Sequence, residues 1–353
     1  MSFIPRTTFP PLPSLPRSYF LGHHKAGLQK MKSLLGSIDL VMEVRDYRVP
    51  LTSRNPIFET ALEGKRRVVV YSKRDLGGVN GGRDKENESI IAQWHAPTPT
   101  LFTSSNSSRS IQTLLAFVRS YAQKQWKLVG HRVLVVGMPN VGKSTLLNSL
   151  RAQGVGKGRA AVTGAQPGVT RKVGSGVKII PSDDDEPEGE GKGKYKGVGG
   201  GVYLLDTPGV FIPYVPDAEA MLKLALCGSV KDTIISPVMM ADYLLYHINC
   251  VDPTLYAEYC PPTNDIVPLL EAIARKTGRL GKGGKADTEA TALWMIQRWR
   301  TGHLGRFLLD EVSAEALEKR KVEEQEVGPS ISQARRVDKE RRRERSRARG
   351  MDR

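Results

Sequence analysis

The sequence predicts an α/β fold: a domain with a mostly parallel sheet built around a phosphate-binding loop, followed by a smaller helical domain and a basic tail. Three observations carry this expectation. Val133-Leu-Val-Val136 runs into Gly137-x4-Gly142-Lys143-Ser144, and Thr145-Leu-Leu-Asn-Ser-Leu150 reads as the opening of a helix, the strand-loop-helix setting that a phosphate loop requires. Strand-like and helix-like runs alternate over residues 38–210, which argues for a parallel sheet covered on both faces. Residues 217–310 read as mainly helical, with Trp294, Ile296, Trp299 and Phe307 as predicted core.

Taken in order, residues 1–38 hold Arg6, Arg17, Lys25, Lys30 and Lys32 and no acidic residue. That suits an organellar transit segment, yet the prolines between Pro5 and Pro16 spoil an amphipathic helix, so a basic arm is the competing reading of residues 1–18. Tyr19 to His24 leads into an expected helix through Leu35. Ile38–Val44 reads as a first strand ending in Arg45-Asp46, and residues 57–64 as a helix closed by Gly64. Arg67–Tyr71 is a second strand delivering Ser72-Lys73-Arg74-Asp75, followed by a helix near Glu88–His95 and a third strand over Pro99–Thr103 that ends in Ser104-Ser105. Ile111, Leu114, Leu115 and Val118 have helical spacing and are expected against the sheet. Beyond the phosphate loop, Val177–Ile180 and Gly201–Leu205 read as strands, the latter ending in Asp206-Thr-Pro-Gly209. The acidic and then Gly/Lys-rich stretch at about 181–200 between them cannot bury a core and is expected to be a disordered hairpin insertion. The domain boundaries expected are therefore 19–216 and 217–310, with a helix and basic tail over 311–353.

Composition sets bounds on function. The net charge is +16, and the tail 335–353 alone has ten Arg or Lys against four Asp or Glu, which suggests a polyanionic partner. No apolar run is long enough for a transmembrane segment. Cys227, Cys250 and Cys260 lack the paired short spacing of a disulfide framework or a zinc site.

The chemistry of the central motif follows from its spacing. Glycines let successive amides turn toward one anion, and the helix N-terminus adds partial positive charge. In the run Asn140-Val141-Gly142-Lys143-Ser144-Thr145, Lys143 is expected to reach the β- and γ-phosphates and Ser144 to ligate magnesium. Lys73-x-Asp75 then selects the base. A carboxylate accepts two parallel hydrogen bonds from the N1–H and N2–H2 of guanine, whereas adenine offers an acceptor at N1. Ser104 and Ser105 end the neighbouring strand and complete the base-recognition segments, so GTP and GDP are the expected ligands.

The base segments precede the phosphate segments. In this order the sequence resembles the circularly permuted GTPases of the ribosome-assembly type, closest to the mitochondrial ribosome-associated GTPase 1 branch and its bacterial 50S-biogenesis relatives. The resemblance spans about residues 19–310. It rests on Phe20-Leu-Gly-His23, Asp39 to Asp46 with Pro50 to Pro56, Ser72 to Asp75, Gly137 to Ser144, Pro167-Gly-Val-Thr170 and Asp206-Thr-Pro-Gly209. It implies Thr170 as the switch threonine on magnesium, Asp206 holding a magnesium-bound water, and Gly209 offering its amide to the γ-phosphate. It further implies Asn140 as a potassium ligand and His23 as a conditional catalytic residue beside Lys143 and Thr170. Two departures stand out: Ser72 replaces the usual asparagine, and Leu21 the usual proline. Val210 occupies the position where many GTPases carry a water-orienting glutamine, so hydrolysis is expected to be slow alone. The resemblance implies a switch in assembly of the mitochondrial large ribosomal subunit, contact with its rRNA, and the mitochondrial matrix, with peripheral contact at the inner membrane. An RNA-binding assembly scaffold with a structural nucleotide pocket is the alternative.

Overall fold

In the computed structural model the described residues are 3–10, 35–78, 83–158, 160, 176–185, 197–206, 215, 217–230, 232–233 and 235–326. A six-stranded sheet has the order β3-β2-β1-β4-β6-β5, formed by β1 Leu40–Asp46, β2 Arg67–Ser72, β3 Thr100–Phe102, β4 His131–Val136, β5 Val177–Ile180 and β6 Val202–Asp206. All pairings are parallel except β5 against β6. β1 lies in the middle and is buried at every position. Its polar residues are neutralised inside the protein: Arg45 pairs with Glu43 at 2.6 Å and Glu59 at 3.1 Å, and Glu43 also meets Arg67 at 3.2 Å. Such pairs cost desolvation and survive because every charge has its partner.

Helices α1 Pro56–Ala61, α2 Arg83–His95, α3 Ser108–Lys124 and α4 Lys143–Val155 supply the crossovers. The predicted stripe on α3 is buried as expected, with Ala122 added, and Ser107 caps its start by accepting from the Ser110 amide. α2 begins five residues earlier than the sequence suggested, because its first turn, Arg83-Asp-Lys-Glu86, is polar throughout and carries no apolar period. Since the chain passes from β3 to β4 across β2 and β1, the strand order reverses between β1 and β4. In open α/β sheets that reversal opens a crevice beyond the carboxyl ends of the strands.

The second half is α5 Ala218–Leu226, α6 Pro237–Val251, α7 Ile266–Thr277, α8 Thr288–Arg300 and α9 Ala314–Glu326. Asp217, Asp265 and Asp287 cap the N-termini of α5, α7 and α8. Ile296, Trp299 and Phe307 are core residues as predicted, but Trp294 is only partly buried. Its ring is covered by the guanidinium groups of Arg279 at 4.6 Å and Arg298 at 5.5 Å. The two halves are clamped together. Asp310 accepts from the amides of Leu51 and Thr52 at 2.9 and 2.7 Å and from the Thr52 hydroxyl at 2.7 Å, and Arg48 lies 4.8 Å over the Trp299 ring.

Residues 3–10, which open the segment read as a basic arm or transit segment, are docked on the helical half. Arg6 forms a two-pronged bond with Asp242 at 2.7 and 3.2 Å, Asn264 donates to the Ile4 carbonyl at 2.9 Å, and Phe9 meets Tyr243 edge-on at 5.0 Å. The stretch expected as a disordered insertion is ordered at both ends: Asp183 donates to the Gly199 carbonyl at 2.8 Å, Val198 to Pro181 at 3.1 Å, and Val198 is buried. β5 and β6 thus extend into a longer hairpin base. The helix expected from Tyr19 and the basic tail lie outside the described residues. Among the described residues no helix is long and apolar enough to cross a membrane.

Candidate functional site

The carboxyl ends of β1, β2, β4 and β6 deliver Asp46, Ser72-Lys73, the loop 137–142 and Asp206 to one crevice. The loop's shape depends on two glycines. At Gly137, with φ +148°, an added Cβ would lie 2.2 Å from the Val44 carbonyl oxygen, so only glycine lets the loop leave β4 against β1. Gly142, at φ +94°, starts α4.

Every carbonyl from Gly137 to Val141 accepts a side-chain donor. The Lys143 ammonium donates to Gly137 and Met138 at 2.9 and 2.7 Å, the Ser229 hydroxyl to Pro139 at 3.1 Å, the Lys73 ammonium to Asn140 at 2.6 Å, and the Ser72 hydroxyl to Val141. These bonds hold the loop in one shape, and in a loop of this pattern the backbone amides turn toward an anion. Ser72 is also 3.0 Å from the Arg45 carbonyl. One hydroxyl proton serves these two carbonyls alternately, so the serine that stands in place of the family's usual asparagine braces the base segment on the phosphate loop.

Lys73 and Asn140 are the two non-glycine residues with positive φ among the described residues, at 56° and 57°. Left-handed backbone at such residues is strained and persists where surrounding bonds over-determine it. Here the bond between them does so, helped by Lys73 to Asp46 at 2.9 Å and by the Asn140 side chain, whose Nδ2 donates to the Gly228 carbonyl at 2.9 Å. Asp46 is fully buried and pairs with Arg48 at 2.8 Å. Burial opposes its charge, but Arg48 and Lys73 win and hold its carboxyl well below the usual range. For Lys73, burial outweighs Asp46 and lowers the ammonium.

Lys143 is buried, and burial pushes its ammonium down to about 8 against the pull of Asp206. Two of its three protons are engaged by the loop, leaving a third for a phosphate oxygen. Ser144 donates to Asp206 Oδ2 at 3.0 Å, while Asp206 Oδ1 is buried without a hydrogen-bond partner. Burial raises the Asp206 carboxyl. A hydroxyl and an unsatisfied carboxylate oxygen side by side fit a hard divalent cation held through oxygen, the donor set that magnesium takes. Ser144 would ligate the ion and Asp206 would hold one of its waters, and the ion would neutralise phosphate oxygens.

On the base side, Asp75 is half-buried in a short turn whose Arg74 amide donates to Thr103 at 3.1 Å, and its carboxylate has no hydrogen-bond partner among the described residues. It is therefore free to accept from a base. Ser104 is buried and used internally, its hydroxyl accepting from the Asn106 amide at 3.2 Å, whereas Ser105 and Thr145 are exposed. Val141 is fully buried and anchors the loop to the core. His23, Thr170 and Gly209 lie outside the described residues. The sequence reading missed Asp46, Arg48 and Ser229. A charged pair at the end of an apolar strand was the available signal for Asp46; Ser229 carried none.

Residues 132–259 match the family model described as 50S ribosome-binding GTPase. The chain is 36% identical over 334 residues to Mitochondrial GTPase 1 of Schizosaccharomyces pombe, covering 90% of this chain and 96% of that protein. It is 34% identical over 313 residues to Mitochondrial ribosome-associated GTPase 1 of Bos taurus, covering 83% and 88%. Among solved structures, GNP-bound YlqF from T. maritima aligns with a TM-score of 0.52 at 22% identity, covering 81% of this chain and 97% of that one, a likeness of fold.

Proposed function

The chain belongs to the mitochondrial GTPase 1 family, and from that premise we propose that it is a GTP hydrolase of the mitochondrial matrix that times assembly of the large ribosomal subunit. Support comes above all from one observation: the Lys73 of the base segment bonds to Asn140 of the phosphate loop, so the two halves of a guanine-nucleotide site meet although the chain presents them in reversed order. In this reading Asp75 accepts from guanine, backbone N–H groups of the loop that ends in Gly142 and the Lys143 ammonium hold the phosphates, and Ser144 and Asp206 hold magnesium. Thr170 and Gly209 answer to the γ-phosphate, His23 assists when the partner is bound, and Asn140 serves a potassium ion.

Val210 cannot orient water, so turnover of the pure protein is expected on the order of 10⁻⁴ to 10⁻³ s⁻¹. Docking on the large subunit is expected to raise it by about 10- to 1000-fold, at most roughly 4 kcal/mol of barrier. The basic tail 335–353 spreads along rRNA, and its deletion should weaken binding and flatten its salt dependence, because fewer counterions are released. The experiment is GTP turnover with and without isolated large-subunit particles, in potassium and in sodium. Particles that bind the protein yet leave turnover unchanged would favour the scaffold reading, and absence of binding would remove the ribosome from the account.

A further inference from the structure

Of the side chains that tie down the phosphate-loop carbonyls, Ser72, Lys73 and Lys143 belong to the GTPase domain and Ser229 does not. Ser229 is buried in the turn that follows α5, and the adjoining Gly228 carbonyl accepts from Nδ2 of the Asn140 side chain. That turn is itself gripped from α8. Arg300 donates to the last carbonyls of α5, Ala225 at 2.7 Å and Leu226 at 2.8 Å, and pairs with Asp232 at 2.6 Å. α5 ends in a backbone cap, with Gly228 at φ +77° and the amides of Gly228 and Ser229 donating to the Ala225 and Leu224 carbonyls at 2.9 Å each; Arg300 adds a cation to the same end and ties the capped turn that carries Ser229 to α8.

We infer that Ser229 is a positioning residue for the phosphate loop, and that the turn after α5, held by Arg300, makes nucleotide release depend on the placement of the helical domain. The inference rests on the GTPase reading above and adds its regulation. A shift of α8 of a few tenths of an ångström moves the α5 carbonyls, loosens Ser229 from Pro139 and Asn140 from Gly228, and frees the loop to turn a carbonyl inward against the phosphates. A partner gripping the helical domain therefore acts on the nucleotide without touching it, and by linkage the bound nucleotide acts equally on the grip.

The test uses the full-length protein and release of a fluorescent GDP analogue in stopped flow. Ser229→Ala should speed release by about 2- to 10-fold, the range one neutral hydrogen bond commands, and Ser229→Thr should restore it. Arg300→Gln should also speed release. Combined with Ser229→Ala it should add little, since the two act through one contact. Tyr256→Phe is the control for general loosening. It removes a hydroxyl that bonds Asn249 at 2.7 Å deep in the helical domain, and should lower the melting temperature while leaving release unchanged. Release unaltered in Ser229→Ala, or accelerated as much in Tyr256→Phe, would overturn the inference. Failure of the unaltered protein to bind the analogue would instead remove the GTPase reading on which it rests.

Discussion

Nucleotide affinity should fall as the pH rises through the titration of Lys143. In the free protein burial sets its ammonium at about 8, whereas phosphate oxygens stabilise the cation and return it to about its ordinary 10.4 or higher. A group that must be charged to bind contributes fully below its free-state pKa and loses that contribution above it. With a pKa of about 8, roughly nine-tenths of the free protein carries the charge at about pH 7 and roughly a quarter at about pH 8.5. The apparent Kd for magnesium-GDP should therefore rise about fourfold over that interval, or about 0.8 kcal/mol, with about three-quarters of a proton taken up per nucleotide at the upper end. Stopping there keeps the guanine N1–H in place, so the base contact does not confuse the result. Fluorescence titration gives the Kd, and calorimetry in buffers of different ionisation heat counts the proton. Lys143→Arg should bind more weakly but show a flat profile, because a guanidinium does not titrate. Equal affinity at both pH values without buffer-dependent heat would refute the burial argument.

Other variants probe other parts of the site. Asp75→Asn should replace an acceptor pair by a mixed donor and acceptor and move preference from guanine toward xanthine, at a loss of about 1–3 kcal/mol for GTP; equal binding of GTP and ATP by the unaltered protein would defeat the base assignment. Ser144→Ala removes a magnesium ligand and should weaken GTP more than GDP, as read by titration with and without the metal, and normal hydrolysis in this variant would contradict the assignment. Arg6→Ala breaks a half-buried two-pronged pair with Asp242 and should cost about 1–2 kcal/mol of the helical half's stability, seen as a lower melting temperature with GDP affinity retained.

What the sequence disclosed, it disclosed through local pattern. The phosphate loop needs a strand, two glycines and a helix within a dozen residues, and all of them are visible in one glance at 133–150. The stripe on α3 was equally legible because its period is a property of neighbours in the chain. Ser229, by contrast, meets Pro139 across 90 residues, and nothing in Gly228-Ser229-Val230 announces it. Arg48 lies in the turn after Asp46 and is buried between that carboxylate and the Trp299 ring. Long-range pairing of polar groups has no sequence period, and these are the contacts that join the two halves. The docking of residues 3–10 was hidden for the same reason: their prolines exclude a helix, which is a local fact, while Asp242 and Asn264 are far away in the chain.

The docking of that opening segment alters how the chain can be assembled. Arg6 and Asp242 are separated by 236 positions, so a chain emerging from its N-terminus exposes one half of the clasp long before the other exists. Closing so large a loop carries an entropy cost that the clasp alone cannot cover, so the clasp depends on the folded chain between its two halves to bring them near. Any enzyme that trimmed the protein beyond Phe9 would remove one jaw of the clasp and leave the Tyr243 face uncovered.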